Sequence, residues 1–217
     1  MSRSPSLPPP PPPVEIRSWP DREAMLADRA AVLGSLTDRL LGVPQLLLFL
    51  LVMAGLQAGW GLVGAGLVIL DDGSDPLTFV FLGVAVLLGL AVLVPLGFVA
   101  GFGIRRDSRI RRLLTEWAAL DLDPARDARH GAPGLSLLWF LVSFLLGAVG
   151  LWISFVAPAS ARAGSWTYGE VAYLMGVGVI CWVTGLIGVA KAVAHYRWAV
   201  RLTSVVPAAA ARGGAHR

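Results

Sequence analysis

The sequence is poor in most of what soluble chemistry uses. Charged side chains make up 15% of its 217 residues, against roughly 25% in a soluble domain. That shortage excludes an ordinary water-soluble globule. Cys181 is the one cysteine, so a disulfide scaffold, a zinc site built on cysteine pairs and an iron–sulfur cluster are all excluded. Asparagine is absent, which removes every N-glycosylation acceptor. Lysine occurs once, at Lys191, against seventeen arginines. With abundant Ala, Gly and Pro, that imbalance follows GC-rich codons and points to a bacterial genome of high GC content. The histidines (His130, His195 and His216) lack ligand-like spacing, and GxSxG, P-loop and dinucleotide-binding glycine patterns are missing. No catalytic, cofactor-binding or metal-binding residue is assigned. For want of paired acid, base or nucleophile residues, the chain is not expected to be an enzyme.

Apolar residues, by contrast, make up 56% of the chain, with a mean hydropathy of +0.69. Four long runs, at about 45–70, 77–104, 135–157 and 171–190, carry almost no ionisable side chain. A helix rising about 1.5 Å per residue needs roughly 20 residues to cross a hydrocarbon core of about 30 Å. All four runs qualify. The expected fold is an all-α integral membrane protein: four transmembrane helices, as two hairpins, with amphipathic cytoplasmic helical arms. Residues 1–42 contain no apolar core of a cleavable signal, so the first span is expected to act as the targeting signal.

The remaining segments divide accordingly. Residues 1–17 are expected to form a disordered tail, whose prolines at 8–13 favour extended polyproline II and could serve as a PxxP ligand or, more simply, a spacer. Residues 18–43 read as a cytoplasmic amphipathic helix. Ser18 is placed to cap it, Asp21 sits at the positive end of its dipole, and Met25, Val32, Leu33, Leu36 and Leu40 recur at helical spacing. Pro44 marks the break before the first hairpin, 45–104. A basic connection (105–134), a second hairpin (135–190) and a basic tail (191–217) complete the chain. In the connection, Ile110, Leu113, Leu114 and Trp117 form an apolar stripe, with Arg109, Arg112 and Glu116 outside it. Each half thus reads as a hairpin followed by a basic arm, either a duplication or the shared grammar of membrane proteins.

Of the 18 cations, 17 lie on one side of this topology, the exception being Arg162. The positive-inside rule then places both termini in the cytoplasm of a bacterial cell, with the protein in its inner membrane. Asp71, Asp72, Asp75 and Glu170 fall on the outer side. The Asp71–Asp75 run reads as a solvated turn, and as a divalent-cation site it is short of ligands. Arg105, Arg106, Arg109, Arg111, Arg112 and Lys191 are placed to contact lipid headgroups, Lys191 by snorkelling. The expected partner is a bilayer with anionic headgroups, joined by a protein partner or further copies of the chain; nucleic acid is not expected.

Within the spans, Gln57, Ser143, Cys181 and Thr184 fall at comparable depth by helical rise. They read as an intramembrane polar layer that hydrogen-bonds between helices rather than as a substrate pocket. Gly55-x-x-x-Gly59, Gly97-x-x-x-Gly101 and Ser143-x-x-x-Gly147 suit close helix packing, within one bundle or across a homodimer. Trp139 and Trp166 suit the inner and outer interfaces, and Trp60 and Trp182 suit packing against glycines. Pro95 frees a carbonyl within the second span, which predicts a kink near Ala91–Pro95. The leading functional expectation is a non-enzymatic membrane component contacting anionic lipid and a protein partner. A small transporter or channel subunit, with the Gln57 layer lining a path, is the alternative.

Overall fold

The computed structural model describes residues 7–13, 19–72, 75–121, 133–161 and 166–204. Among them it is all-helical, with α1 at Arg22–Leu41, α2 at Val43–Asp72, α3 at Pro76–Ala118, α4 at Pro133–Ser160 and α5 at Tyr168–Ser204. Four helices are long and apolar enough to cross a membrane. Ser18, Gly73, Ser74, Arg126, Arg129, Arg162 and the chain beyond 204 lie outside the described residues. The helices divide between two compact units. An arginine-rich unit comprises Met1–Gln45, Ile104–Leu137 and Ala192–Arg217, and an apolar unit comprises Leu46–Gly103 and Leu138–Lys191.

In the arginine-rich unit the cap of α1 is Asp21, three residues beyond the expected Ser18. The Asp21 carboxylate accepts from the Ala24 amide at 2.7 Å, satisfying a first-turn donor that α1 itself cannot. The helix stops at Gly42, whose amide donates to the Asp38 carbonyl at 2.8 Å. Pro44 then takes an early position in α2, where its missing N–H costs nothing. The amphipathic stripes expected from the sequence form this unit's core: Leu33, Leu36, Leu40 and Ile110 are fully buried, and Leu114 and Trp117 nearly so. Arg22 pairs with Asp121 at 2.7 Å and Arg112 with Glu116 at 2.9 Å, both on the surface. The Trp117 indole donates to the Pro9 carbonyl at 3.1 Å, so part of the proline run packs here without helical structure.

The apolar unit is built on small residues. On α2, Gly55 and Gly59 lie against Leu96 and Leu93 of α3, while Gly64 lies under Tyr173 of α5. On α4 and α5 the backbones themselves meet: a Cβ on Gly178 would lie 2.7 Å from the Gly150 carbonyl, and one on Gly185 would lie 2.6 Å from the Gly147 Cα. Only glycine permits that approach, and the close backbones gain dispersion contacts. These glycines of α2, α4 and α5 therefore pack within the unit, whereas Gly61 of α2 meets nothing. Gly97 and Gly101 of α3 face open space. The large apolar side chains are outside: Leu87, Phe98, Trp152 and Phe155 are each more than 60% exposed. α3 runs on through Pro95.

Candidate functional site

Gln57 is the polar centre of the apolar unit. Its amide Nε2 donates to the Val177 carbonyl at 3.0 Å and to Cys181 Sγ at 2.9 Å. Its carbonyl oxygen is buried with no hydrogen-bond partner. Of the four polar residues expected to share a layer, Gln57 and Cys181 are thus brought together. Thr184 turns back on its own helix, its hydroxyl donating to the Ile180 carbonyl at 2.6 Å. Ser143 is fully buried beside Gly188, and its hydroxyl has no hydrogen-bond partner. A second tie between α2 and α5 comes from Trp60, whose indole donates to the Tyr173 carbonyl at 2.9 Å while its ring fills the space that Gly176 leaves. The chemistry available here is donation to carbonyl and sulfur between packed helices.

Lys191, expected to reach headgroups, is only 5% exposed. Its ammonium lies 4.4 Å from the centre of the Trp139 ring, which in turn packs on Phe49 at 5.2 Å. A cation over an indole face is held by the ring quadrupole, so this lysine and tryptophan, both read as membrane-edge residues, are buried within one unit. Trp166 and Trp182 are partly exposed.

The arginines following the apolar part of α3 divide by helix face. Arg105, Arg106, Arg109 and Arg112 are exposed, while Arg111 is half-buried. Sequence reasoning overlooked Arg29, which is 2% exposed. Its guanidinium donates to the carbonyls of Trp117 and Ala118 at 3.2 and 3.3 Å. Those are the last carbonyls of α3, which have no partner within the helix and carry the negative end of its dipole. The signal was present in register: positions 26, 29, 33, 36 and 40 follow one helical stripe, and the arginine stands among leucines.

Outside these clusters, the described end of the acidic loop is a helix cap. Asp75 accepts from both the Thr78 hydroxyl and its amide, and these bonds hold its carboxyl below the ordinary aspartate range. No group of three or more potential metal ligands occurs among the described residues. Comparison with protein-family models, curated proteins and solved structures finds no match for the chain.

Proposed function

We propose that this is a non-enzymatic, multi-pass component of a bacterial inner membrane whose arginine-rich helices contact anionic lipid headgroups. In this reading the apolar stretches of α2 to α5 cross the bilayer as two hairpins, and both termini are cytoplasmic. The observation that carries it is the exposed set Arg105, Arg106 and Arg109, which directly follows the apolar stretch of α3 and makes no ion pair among the described residues. Each such cation near an anionic leaflet contributes about 1 kcal/mol, screened by salt. The outward-facing large apolar side chains of the apolar unit support a hydrocarbon surround. The use of the Gln57 amide between packed helices favours this reading over a conduit.

Cysteine labelling tests the reading. In a Cys181→Ala background, Gly73→Cys should react with an impermeant reagent in intact spheroplasts. His130→Cys should react only after permeabilisation. The reverse pattern would invert the topology and remove the arginines from the anionic inner leaflet.

A further inference from the structure

The arginine-rich unit contains a cleft of about 520 Å3, within the roughly 300–1,000 Å3 of small-molecule sites. Two helical stripes face across it. Arg111, Leu114 and Ala118 of α3 recur at three- and four-residue spacing, as do Ala194, Arg197, Trp198 and Arg201 of α5. Leu40 of α1 and the buried His195 complete the lining that matters here. Three arginines therefore line one cavity, and among the described residues no carboxylate does. Arg111 Nε–H and Trp198 Nε1–H, both on lining residues, are buried and have no acceptor among the described residues. A buried donor without an acceptor is costly, so a ligand oxygen in the cleft that reached either group would relieve that cost. The walls between them are leucine and alanine, with Thr115 the remaining polar side chain.

We propose that this cleft binds one phosphate ester of net negative charge that carries an apolar group. Guanidinium forks match phosphate oxygens in pairs, the indole N–H supplies a further donor, and the apolar walls take the attached chain. The inference deepens the headgroup reading, turning a diffuse electrostatic contact into a single stoichiometric site. Arg111, Arg197 and Arg201 form that site, whereas Arg105, Arg106 and Arg109 only raise the local concentration of anions.

The test uses the full chain in phosphatidylcholine nanodiscs, with bound molecules counted by native mass spectrometry after release into mild detergent. Phosphatidylglycerol is one probe and glycerol 1-phosphate, which has no acyl chains, the other. One phosphatidylglycerol should bind saturably per chain. The double variant Arg111→Gln/Arg197→Gln should raise its Kd at least about tenfold, the scale of a lost charge-assisted contact. Ala119→Trp, which fills the cleft and leaves every charge in place, should do the same, and it guards against misfolding of the arginine variants. Arg105→Gln/Arg106→Gln should change Kd by less than about threefold, because screened exposed charges contribute weakly. Lipid binding with this pattern supports the proposal, whereas equally tight binding of glycerol 1-phosphate would show that the apolar walls take no chain and would overturn it. Equal weakening by both double variants, or full binding in Ala119→Trp, overturns the cleft and leaves the headgroup reading standing. Absence of any preference for anionic probes overturns both.

Discussion

In the arginine-rich unit, Arg29 sends its guanidinium to the carbonyls of Trp117 and Ala118; in the apolar unit, Gln57 sends its amide to the Val177 carbonyl and the Cys181 sulfur. Both residues tie one helix to the backbone of another, yet their surroundings obey opposite rules. Around Arg29 the leucines are buried and the paired charges Arg22 and Arg112 are outside. Around Gln57 glycines are buried, and the large apolar side chains face outward. Only 6% to 22% of the most apolar stretch of each long helix is buried. Burial of large apolar groups is how water organises a protein. Burial of small and polar groups beneath an apolar exterior is how hydrocarbon does so. On the proposed reading, one chain alternates between the two regimes at points inside its own helices.

The sharpest way to break this comparison is to remove Arg29. Arg29→Met keeps the length and apolar stem but removes the guanidinium from the Trp117 and Ala118 carbonyls, leaving Trp117 only the long bond from the Leu120 amide at 3.4 Å. Two hydrogen bonds from a charged group contribute about 1.5–3 kcal/mol each, partly offset by the cost of burying the charge. The expected net loss is about 3 kcal/mol. It should be read as faster amide hydrogen exchange over residues 110–118, with little change over 140–155. Unchanged exchange in α3 would mean that water already serves those carbonyls.

Next in size come two glycine substitutions that contrast packed and open faces. Gly185→Ala places a methyl 2.7 Å from the Ser143 carbonyl, backbone that cannot rotate aside, and should cost about 2 kcal/mol. Gly97→Ala meets nothing and should be neutral or stabilising by up to about 1 kcal/mol, through helix propensity alone. Thermal unfolding in detergent measures both. If Gly97→Ala proved as damaging as Gly185→Ala in lipid but not in detergent, the Gly97 face would be covered by a second copy of the chain.

The sequence displayed the elements well, because its strongest signals are local. Uncharged runs of sufficient length and the stripe through Ile110, Leu114 and Trp117 each depend on neighbours within a few turns. Pairings between distant segments were hidden. Arg29 meets Trp117 across 88 positions, and periodicity identifies a face without saying what will cover it. Lys191 and Trp139 illustrate the same limit: each alone suits a membrane edge, and only their packing shows that the cation lies over the indole. Arg111 read as one of five equivalent arginines until α5 brought Arg197, Trp198 and Arg201 to the same cavity. Gln57 and Cys181 were anticipated at one depth, but depth did not reveal that Ser143 and Thr184 would remain outside their hydrogen bond.

The smallest expected effect is at Gln57 itself. Gln57→Leu removes the donor to Val177 and Cys181, but it also removes a carbonyl oxygen that is buried without a hydrogen-bond partner. Loss of the bond destabilises, and relief of the unsatisfied oxygen stabilises. Interhelical hydrogen bonds in membranes average about 0.6 kcal/mol, because the separated helices also find partners. The two terms nearly cancel, so the shift in thermal unfolding should be below about 1 kcal/mol. That result contrasts with Arg29→Met, where the lost bonds are charge-assisted and no orphaned acceptor is relieved. Stability alone does not separate a packed layer from a wet path, so solvent access supplies the second readout. Gln57→Cys in a Cys181→Ala background should resist a polar thiol reagent in intact membranes, since the native amide is occupied by groups on the facing helix. Rapid labelling at position 57 would show water reaching that depth, and it would move the conduit reading ahead of the packed bundle.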